Sequence, residues 1–120
     1  HDPLEPAFTG DVIILSGPAN QSGATLFISE MAARDHVAVV GEPTGGSVEG
    51  PTAGVILFLT LPNSGMKVRI PALRSVTGRA PAEPGAGVTP DVIVRTTPAD
   101  RLAGRDPVLE EALRMARRSP

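Results

Sequence analysis

Cysteine is absent from this chain of 120 residues, which excludes disulfide bonds and thiolate metal sites and leaves the redox compartment open. Basic residues are few and scattered: 11 lysines and arginines stand against 13 acidic residues, for a net charge of −2. Because phosphate contacts need clustered cations, this pattern argues against a nucleic-acid partner. Long apolar runs are also missing, so the sequence predicts no membrane span.

The residues that are present form a strand, helix, strand pattern between positions 11 and 50. The β-branched run from Asp11 to Leu15 is closed by a Ser-Gly-Pro turn and predicts a buried strand, as does the run from Val37 to Val40. Between them we expect a helix over residues 21–34. Its apolar face, expected to pack on the sheet, has the i, i+3, i+4, i+7 spacing: Ala24, Phe27, Ile28 and Met31.

Ser22 lies at the predicted start of this helix, where unpaired backbone N–H groups and the positive end of the dipole favour developing negative charge. A hydroxyl at this place is suited to act as a nucleophile. Gly23 after it leaves a backbone N–H open, as an oxyanion hole requires. Serine is also a preferred N-cap residue, so local sequence alone favours Ser22, or Asn20, as a simple cap of the helix amides.

The second half of the chain predicts a β-hairpin and a final helix. Strand-like runs at residues 55–61 and 66–73 are joined by Pro-Asn-Ser-Gly, and in the second run apolar residues alternate with Lys67 and Arg69, which predicts one wet face. The helix is predicted over about 106–117, capped by Asp106, and is expected to dock on the sheet. Its predicted buried stripe comprises Leu109, Ala112, Leu113 and Ala116.

Four motifs, in order, resemble one protein family. They are VIIL with a serine opening the next helix, VAVVGEPTGG ending at Gly46, TGRA at residues 77–80, and GVTPDVIV ending at Val94. Together they resemble the tail-specific, or C-terminal-processing, serine peptidase family. The resemblance implies an α/β layered domain of crotonase/ClpP-like fold, with a mixed sheet and packed helices, that cuts polypeptides. It implies that Ser22 is the nucleophile and that Gly23 supplies an oxyanion-hole amide.

The loop over residues 41–50, which we call the glycine loop, departs from the pattern of the processing peptidases, because those enzymes carry a lysine base in it. This chain reads GEPTGGSVEG, and its single lysine, Lys67, lies in a later strand. The T-G-G form is similar to the tricorn core protease and retinoid-binding-protein-like branch, in which a histidine and a second serine come from upstream sequence. In that branch a glutamate precedes the P-D-V strand. Glu83 is the nearest carboxylate, offset by one position, and an ordinary solvated side chain is the open alternative.

Substrate binding is assigned to the glycine loop by the same resemblance. Thr44, Gly45 and Gly46 are the candidates for holding the substrate backbone, and a purely structural turn is the equal alternative. The histidines give Ser22 no base: His1 is terminal, and His36 is at the far end of the helix, about 20 Å away at 1.5 Å per residue. The base is therefore expected from upstream sequence, and the chain alone is expected to be inactive.

The resulting interpretation is that residues 1–120 are the C-terminal portion of a serine endopeptidase domain, with a core over 11–96. It needs a polypeptide substrate, no cofactor and no metal ion, and the resemblance implies a periplasmic or other extracytoplasmic location. Exposed sheet edges predict a homo-oligomer or pairing with the missing upstream half. The main alternative is a non-catalytic peptide-binding or scaffold relative, and a crotonase-like acyl-CoA enzyme is a third.

Overall fold

The computed structural model describes residues 7–76, 81 and 83–118. His1 and the TGRA motif at residues 77–80 lie outside the described residues. In chain order the elements are β1 (Val12–Ser16), α1 (Gly23–Met31), β2 (Val37–Gly41), β3 (Ile56–Thr60), β4 (Lys67–Pro71), β5 (Val92–Ile93), α2 (Pro98–Leu102) and α3 (Pro107–Ala116).

A parallel three-stranded sheet with the order β1-β2-β5 organises the chain. β1 and β2 pair along their whole length, so the predicted βαβ unit is confirmed. β5 pairs with β2 at only two positions, and Asp91 extends this junction. The Asp91 N–H donates to the Val39 carbonyl at 2.8 Å, and its carboxylate accepts from the Val39 N–H at 2.8 Å. One side chain therefore takes the place of a missing ladder carbonyl.

The core lies where α1 meets the sheet and two loops. Its buried members are Ile28, Val39, Val48 and Val88, with Ile14 partly buried against them. The predicted apolar face of α1 is right for Ile28 but wrong for Phe27, which is 58% exposed. The helix instead buries Thr25, Ile28 and Ser29, because this side packs on the core, where Ile28 meets residues of β2 and of the two loops.

Helix α3 docks on β1 and β2, as predicted. Asp106 caps it by accepting a hydrogen bond from the Leu109 N–H at 3.0 Å. The predicted stripe is correct only for Ala112, which is buried, whereas Leu109 and Leu113 are 43% and 49% exposed. The helix lies against the sheet through Ala112 and the half-buried Val108 and Met115. No sequence pattern predicted the short helix α2, which opens with a capping box at Thr97.

Strands β3 and β4 form a separate antiparallel ribbon, which we call the arm (residues 55–72). The Leu61 N–H donates to the Met66 carbonyl at 2.9 Å, which confirms the four-residue loop of the predicted hairpin. The prediction of a mixed sheet is wrong for the described chain, because these antiparallel strands pair with each other and not with the parallel sheet.

The arm has one face that is entirely apolar. Leu57 lies opposite Ile70 and Leu59 opposite Val68, so these four side chains share a face. With Val55 and Met66 they form what we call the apolar face: Val55, Leu57, Leu59, Met66, Val68 and Ile70, each at least 39% exposed. Lys67 and Arg69 lie on the opposite face, which is the predicted wet face. No described part of the chain covers the apolar face.

Candidate functional site

Ser22 has an unusual backbone conformation immediately before α1. Its φ is 54° and its ψ is −122°, and among the described residues it is the one non-glycine residue with positive φ. It occupies the N-cap position, yet its side chain makes no capping hydrogen bond. The side chain is exposed. Interpretation of Ser22 as a simple cap therefore does not match the geometry.

Two other helices of the same chain show what an ordinary cap looks like here. Thr97 before α2 has an extended backbone, with φ −81° and ψ 161°, and its side chain accepts a hydrogen bond from the Asp100 N–H. Asp106 accepts from Leu109 in the same way. Such extended geometry is typical of N-caps. Ser22 differs in both respects, since its backbone is left-handed and its hydroxyl is not used by the helix.

Gly23 places an open amide beside Ser22. It is the first residue of α1, and no described residue accepts a hydrogen bond from its N–H. A Cβ built on Gly23 would have no heavy atom within 4 Å, so the space beside it is open. An unpaired N–H at a helix N-terminus carries partial positive charge and attracts an anionic oxygen. The pair therefore places an exposed hydroxyl beside an unpaired amide, the arrangement that the predicted nucleophile and oxyanion donor need.

The turn before Ser22 is held by hydrogen bonds. The Gly17 N–H donates to the Asn20 side-chain oxygen at 2.8 Å, and the Asn20 N–H donates to the Gly17 carbonyl at 2.9 Å. The Asn20 carbonyl accepts two more, from the Thr25 hydroxyl and from the Gly46 N–H, each at 3.1 Å. Asn20 is thus not a cap of α1, and it joins the serine turn to the glycine loop.

The glycine loop lies directly against this turn. A Cβ on Gly45 would overlap the Pro18 carbonyl, and a Cβ on Gly46 would overlap the Thr25 hydroxyl and lie 3.1 Å from the Ser22 nitrogen. Only glycine permits this approach. The structure therefore brings two of the predicted substrate-binding residues, Gly45 and Gly46, next to the predicted nucleophile.

Thr44, the third predicted substrate-binding residue, is buried, with 5% of its surface exposed. Its hydroxyl donates to the Gly46 carbonyl at 3.1 Å and accepts from the Val88 N–H at 2.9 Å. The first bond is internal to the glycine loop, and the second holds the loop to the segment before β5. These contacts give the Thr44 side chain a structural role in the loop.

Glu83 lies in the segment that packs along the glycine loop. The Ala86 N–H donates to the Glu83 carbonyl at 2.9 Å, and the Val48 N–H donates to the Ala86 carbonyl at 3.0 Å. A Cβ on Gly87 would overlap the Thr44 carbonyl, so the two segments are in contact. The Glu83 side chain is exposed. Its catalytic assignment stays a prediction.

Neither described candidate base is near Ser22. His36 lies in the turn before β2, where its carbonyl accepts from the Val12 N–H at 2.9 Å. With Asp11, Asp35 and Arg114 it lines an open cavity of about 480 Å³ at the amino ends of β1 and β2, whereas Ser22 follows the carboxyl end of β1. Lys67 is exposed on the arm.

Charge pairing is concentrated in the C-terminal helices. Hydrogen bonds from Thr97 lower the pKa of Asp100, and the Arg114 guanidinium lowers the pKa of Glu111. Hydrogen bonding to Glu110 raises the pKa of Arg105. In the described ranges, no three His, Asp or Glu side chains converge as metal ligands. Nor does any helix there have the length and apolar character needed to cross a membrane.

Sequence reasoning missed Thr25 and the two hydrogen bonds that the Asn20 carbonyl accepts. The available signal was a threonine in the first turn of an amphipathic helix, a position from which a hydroxyl can bond a nearby backbone carbonyl. The apolar spacing did not single out Thr25, because this residue falls outside the i, i+3, i+4 pattern of Ala24, Phe27 and Ile28. The contact with Gly46 joins residues far apart in sequence and needs the fold to be seen.

No protein-family model matches the chain, and no curated protein matches it. Among solved structures, it is similar to a crystal structure described as a "putative peptidase" from Parabacteroides merdae ATCC 43184, with a TM-score of 0.62 and 30% sequence identity. The match covers 88% of this chain and 31% of that chain. The chain thus shares the fold of a segment of that protein and spans about a third of its length.

Proposed function

We propose that this chain is the C-terminal portion of a serine peptidase catalytic domain of crotonase/ClpP-like fold. We assign it to the tricorn core protease and retinoid-binding-protein-like branch of the tail-specific peptidases, which its glycine loop resembles. Ser22 is the nucleophile, the Gly23 N–H is an oxyanion donor, and the substrate is a polypeptide. The likeness to a protein described as a peptidase supports this assignment at the level of fold.

The observation that carries the proposal is the backbone of Ser22. A non-glycine residue at φ 54° and ψ −122° is strained, and such strain persists only where surrounding contacts impose it. Strained residues cluster at active sites, and a nucleophilic serine at a sharp turn before a helix is a recurrent arrangement. The hydroxyl is also exposed and is not used as a cap, so it is free to react.

The proposed reaction is acyl transfer. The Ser22 Oγ forms a bond to the carbonyl carbon of the scissile peptide, and its proton passes to a general base. The carbonyl oxygen becomes an oxyanion that accepts a hydrogen bond from the Gly23 N–H. The C–N bond then breaks, the amine takes the proton back from the base, and water hydrolyses the ester on Ser22. Neither a metal ion nor a cofactor takes part.

The general base in this proposal comes from polypeptide outside the 120 residues. His36 is at the opposite end of β1 from Ser22, and Lys67 is on the arm. Glu83, in the loop along Gly87 and Val88, is proposed to orient that base. Gly45 and Gly46 are proposed to face the substrate backbone, because they lie against the turn that carries Ser22.

Two uncovered surfaces support the proposal that a larger domain surrounds this chain. The apolar face of the arm is covered by no described residue, and β1 is an edge strand in the described sheet. Exposed apolar faces and open strand edges favour pairing with other polypeptide. We assign both surfaces to the remainder of the catalytic domain. In its absence we expect them to pair with a second copy.

A fluorophosphonate probe tests the proposal, because it labels only an activated serine hydroxyl. The polypeptide carrying the complete domain is expected to be labelled at Ser22, and Ser22→Ala is expected to abolish the labelling. Ser64→Ala, at an exposed serine in the arm loop, is the matched control and should label as the wild type does.

The isolated 120-residue chain is expected to remain unlabelled, since loss of one triad member lowers the rate by about 10⁴-fold or more in well-studied peptidases. Labelling of the isolated chain would place the base within it and contradict that part of the proposal. If the complete domain, folded and pure, takes no label, the nucleophile assignment fails. A non-catalytic peptide-binding relative is then the better description.

A further inference from the structure

The Asn20 carbonyl, two residues before Ser22, accepts hydrogen bonds from two different parts of the chain. The Thr25 hydroxyl donates to it from the first turn of α1, and the Gly46 N–H donates to it from the glycine loop, both at 3.1 Å. Thr25 is 1% exposed, so its side chain is shielded from solvent. We call these two hydrogen bonds the Asn20 clamp.

The clamp fixes the chain on both sides of the strained residue. Asn20 precedes Ser22 and Thr25 follows it, so the Thr25–Asn20 bond closes a short loop with Ser22 inside. Gly46 packs against the same loop. A Cβ built on Gly46 would overlap the Thr25 hydroxyl and would lie 3.1 Å from both the Gln21 Cα and the Ser22 nitrogen. A strained φ persists only when its surroundings impose it, and these contacts lie on both sides of Ser22.

We propose that Thr25 is a positioning residue for Ser22. Acting through the Asn20 carbonyl, its hydroxyl holds Ser22 at positive φ, which keeps the serine hydroxyl out of a cap with the α1 amides and available to substrate. The inference rests on the proposed function only for the reactivity of Ser22. The conformational part stands independently of it.

Thr25→Val tests the role because valine has nearly the same shape and no hydroxyl. In the complete domain, the rate of fluorophosphonate labelling at Ser22 is expected to fall about tenfold, as small misplacements of a reacting group do. Thr25→Ser, which keeps the hydroxyl, should label within about threefold of the wild type. Thr52→Val, at an exposed threonine, is the control for the substitution itself.

A merely structural role would lower the thermal midpoint of Thr25→Val and Thr25→Ser without changing labelling per folded molecule. That result would overturn the inference. Crystal structures provide a second measurement that needs no reactivity: Ser22 φ should be positive in the wild type and negative in Thr25→Val. A positive φ in Thr25→Val contradicts the proposal even if the wild type takes no label, whereas failure of wild-type labelling alone refutes only the nucleophile assignment.

Discussion

Ser22→Gly is expected to stabilise the protein while removing its proposed nucleophile. A serine at φ 54° and ψ −122° carries strain of roughly 1–3 kcal/mol, which glycine does not. Against this, glycine adds about 0.4–1 kcal/mol of conformational freedom to the unfolded chain. The net expectation is a gain of about 1 kcal/mol. For a chain of this size that corresponds to roughly 4 °C in the thermal midpoint.

Ser22→Ala separates strain from capping. Because the hydroxyl makes no cap bond, its loss should change the free energy of unfolding by less than about 0.5 kcal/mol. Substitution of a residue that does cap a helix should behave differently. Thr97→Ala, at the N-cap of α2, is expected to lower the free energy of unfolding by about 1 kcal/mol, and the free energy of unfolding of Thr97→Gly should not exceed that of the wild type.

Urea denaturation of the wild type and these four variants measures the free energy of unfolding in each case, with constant m-values as the check on two-state behaviour. Two results would refute the reasoning. One is a Ser22→Gly protein no more stable than the wild type, which would mean that the strain at Ser22 does not exceed the roughly 1 kcal/mol of freedom that glycine adds to the unfolded chain. The other is a loss of 1 kcal/mol or more in Ser22→Ala, which would mean that the hydroxyl is an ordinary cap.

Three further expectations concern other parts of the chain. Ser29→Ala should raise the free energy of unfolding by roughly 1 kcal/mol, because the buried Ser29 hydroxyl has no hydrogen-bond partner among the described residues. A lower free energy of unfolding for this variant in urea denaturation would contradict the expectation. Light scattering should show that the isolated chain forms a dimer or larger assembly. Leu59→Lys on the apolar face should reduce this association, and Thr60→Lys on the opposite face should not. A clean wild-type monomer at high concentration would count against the expectation. The pKa of the Asp100 carboxyl should lie below 3.8 by NMR, so its stabilising contribution is present above pH 3.8 and is lost as the pH falls through the lower folded pKa. An unchanged titration midpoint in Thr97→Ala would exclude the Thr97 side-chain hydrogen bond as the main cause, because the bond from the Thr97 backbone N–H remains in that variant.

The sequence predicted those features that local pattern controls. The strands β1 and β2 follow from short β-branched runs bounded by turn residues, and the arm from two apolar runs around a Pro-Asn-Ser-Gly loop. Asp106 was recognisable as a cap because the following proline fixes the first helical position. Ser22 was likewise predicted near the start of α1, but it is the N-cap and not a first-turn residue, and the helix spans Gly23–Met31 where residues 21–34 were predicted.

The remaining features depend on contacts between distant residues. Which side of α1 is buried is decided by the segments that pack on it, so Phe27 is exposed although it fits the apolar periodicity. Gly46, far along the chain, packs against Ser22, whose conformation departs from the cap that the local preference of serine favours. The buried hydroxyl of Thr44 was equally unpredictable, because its partner Val88 belongs to a loop near β5.

The arm has a consequence for how fast different parts of this chain exchange their amide hydrogens with solvent. A two-stranded ribbon on its own is at best marginally stable in water, and the ribbon here is stabilised mainly by its own cross-strand bonds. Its amide hydrogens should therefore exchange with solvent much faster than those of β2, whose Val39 and Val40 are fully buried. Docking of the apolar face would then be coupled to ordering of the arm, so slow amide exchange between residues 56 and 71 becomes a direct reporter of whether that face has found its partner.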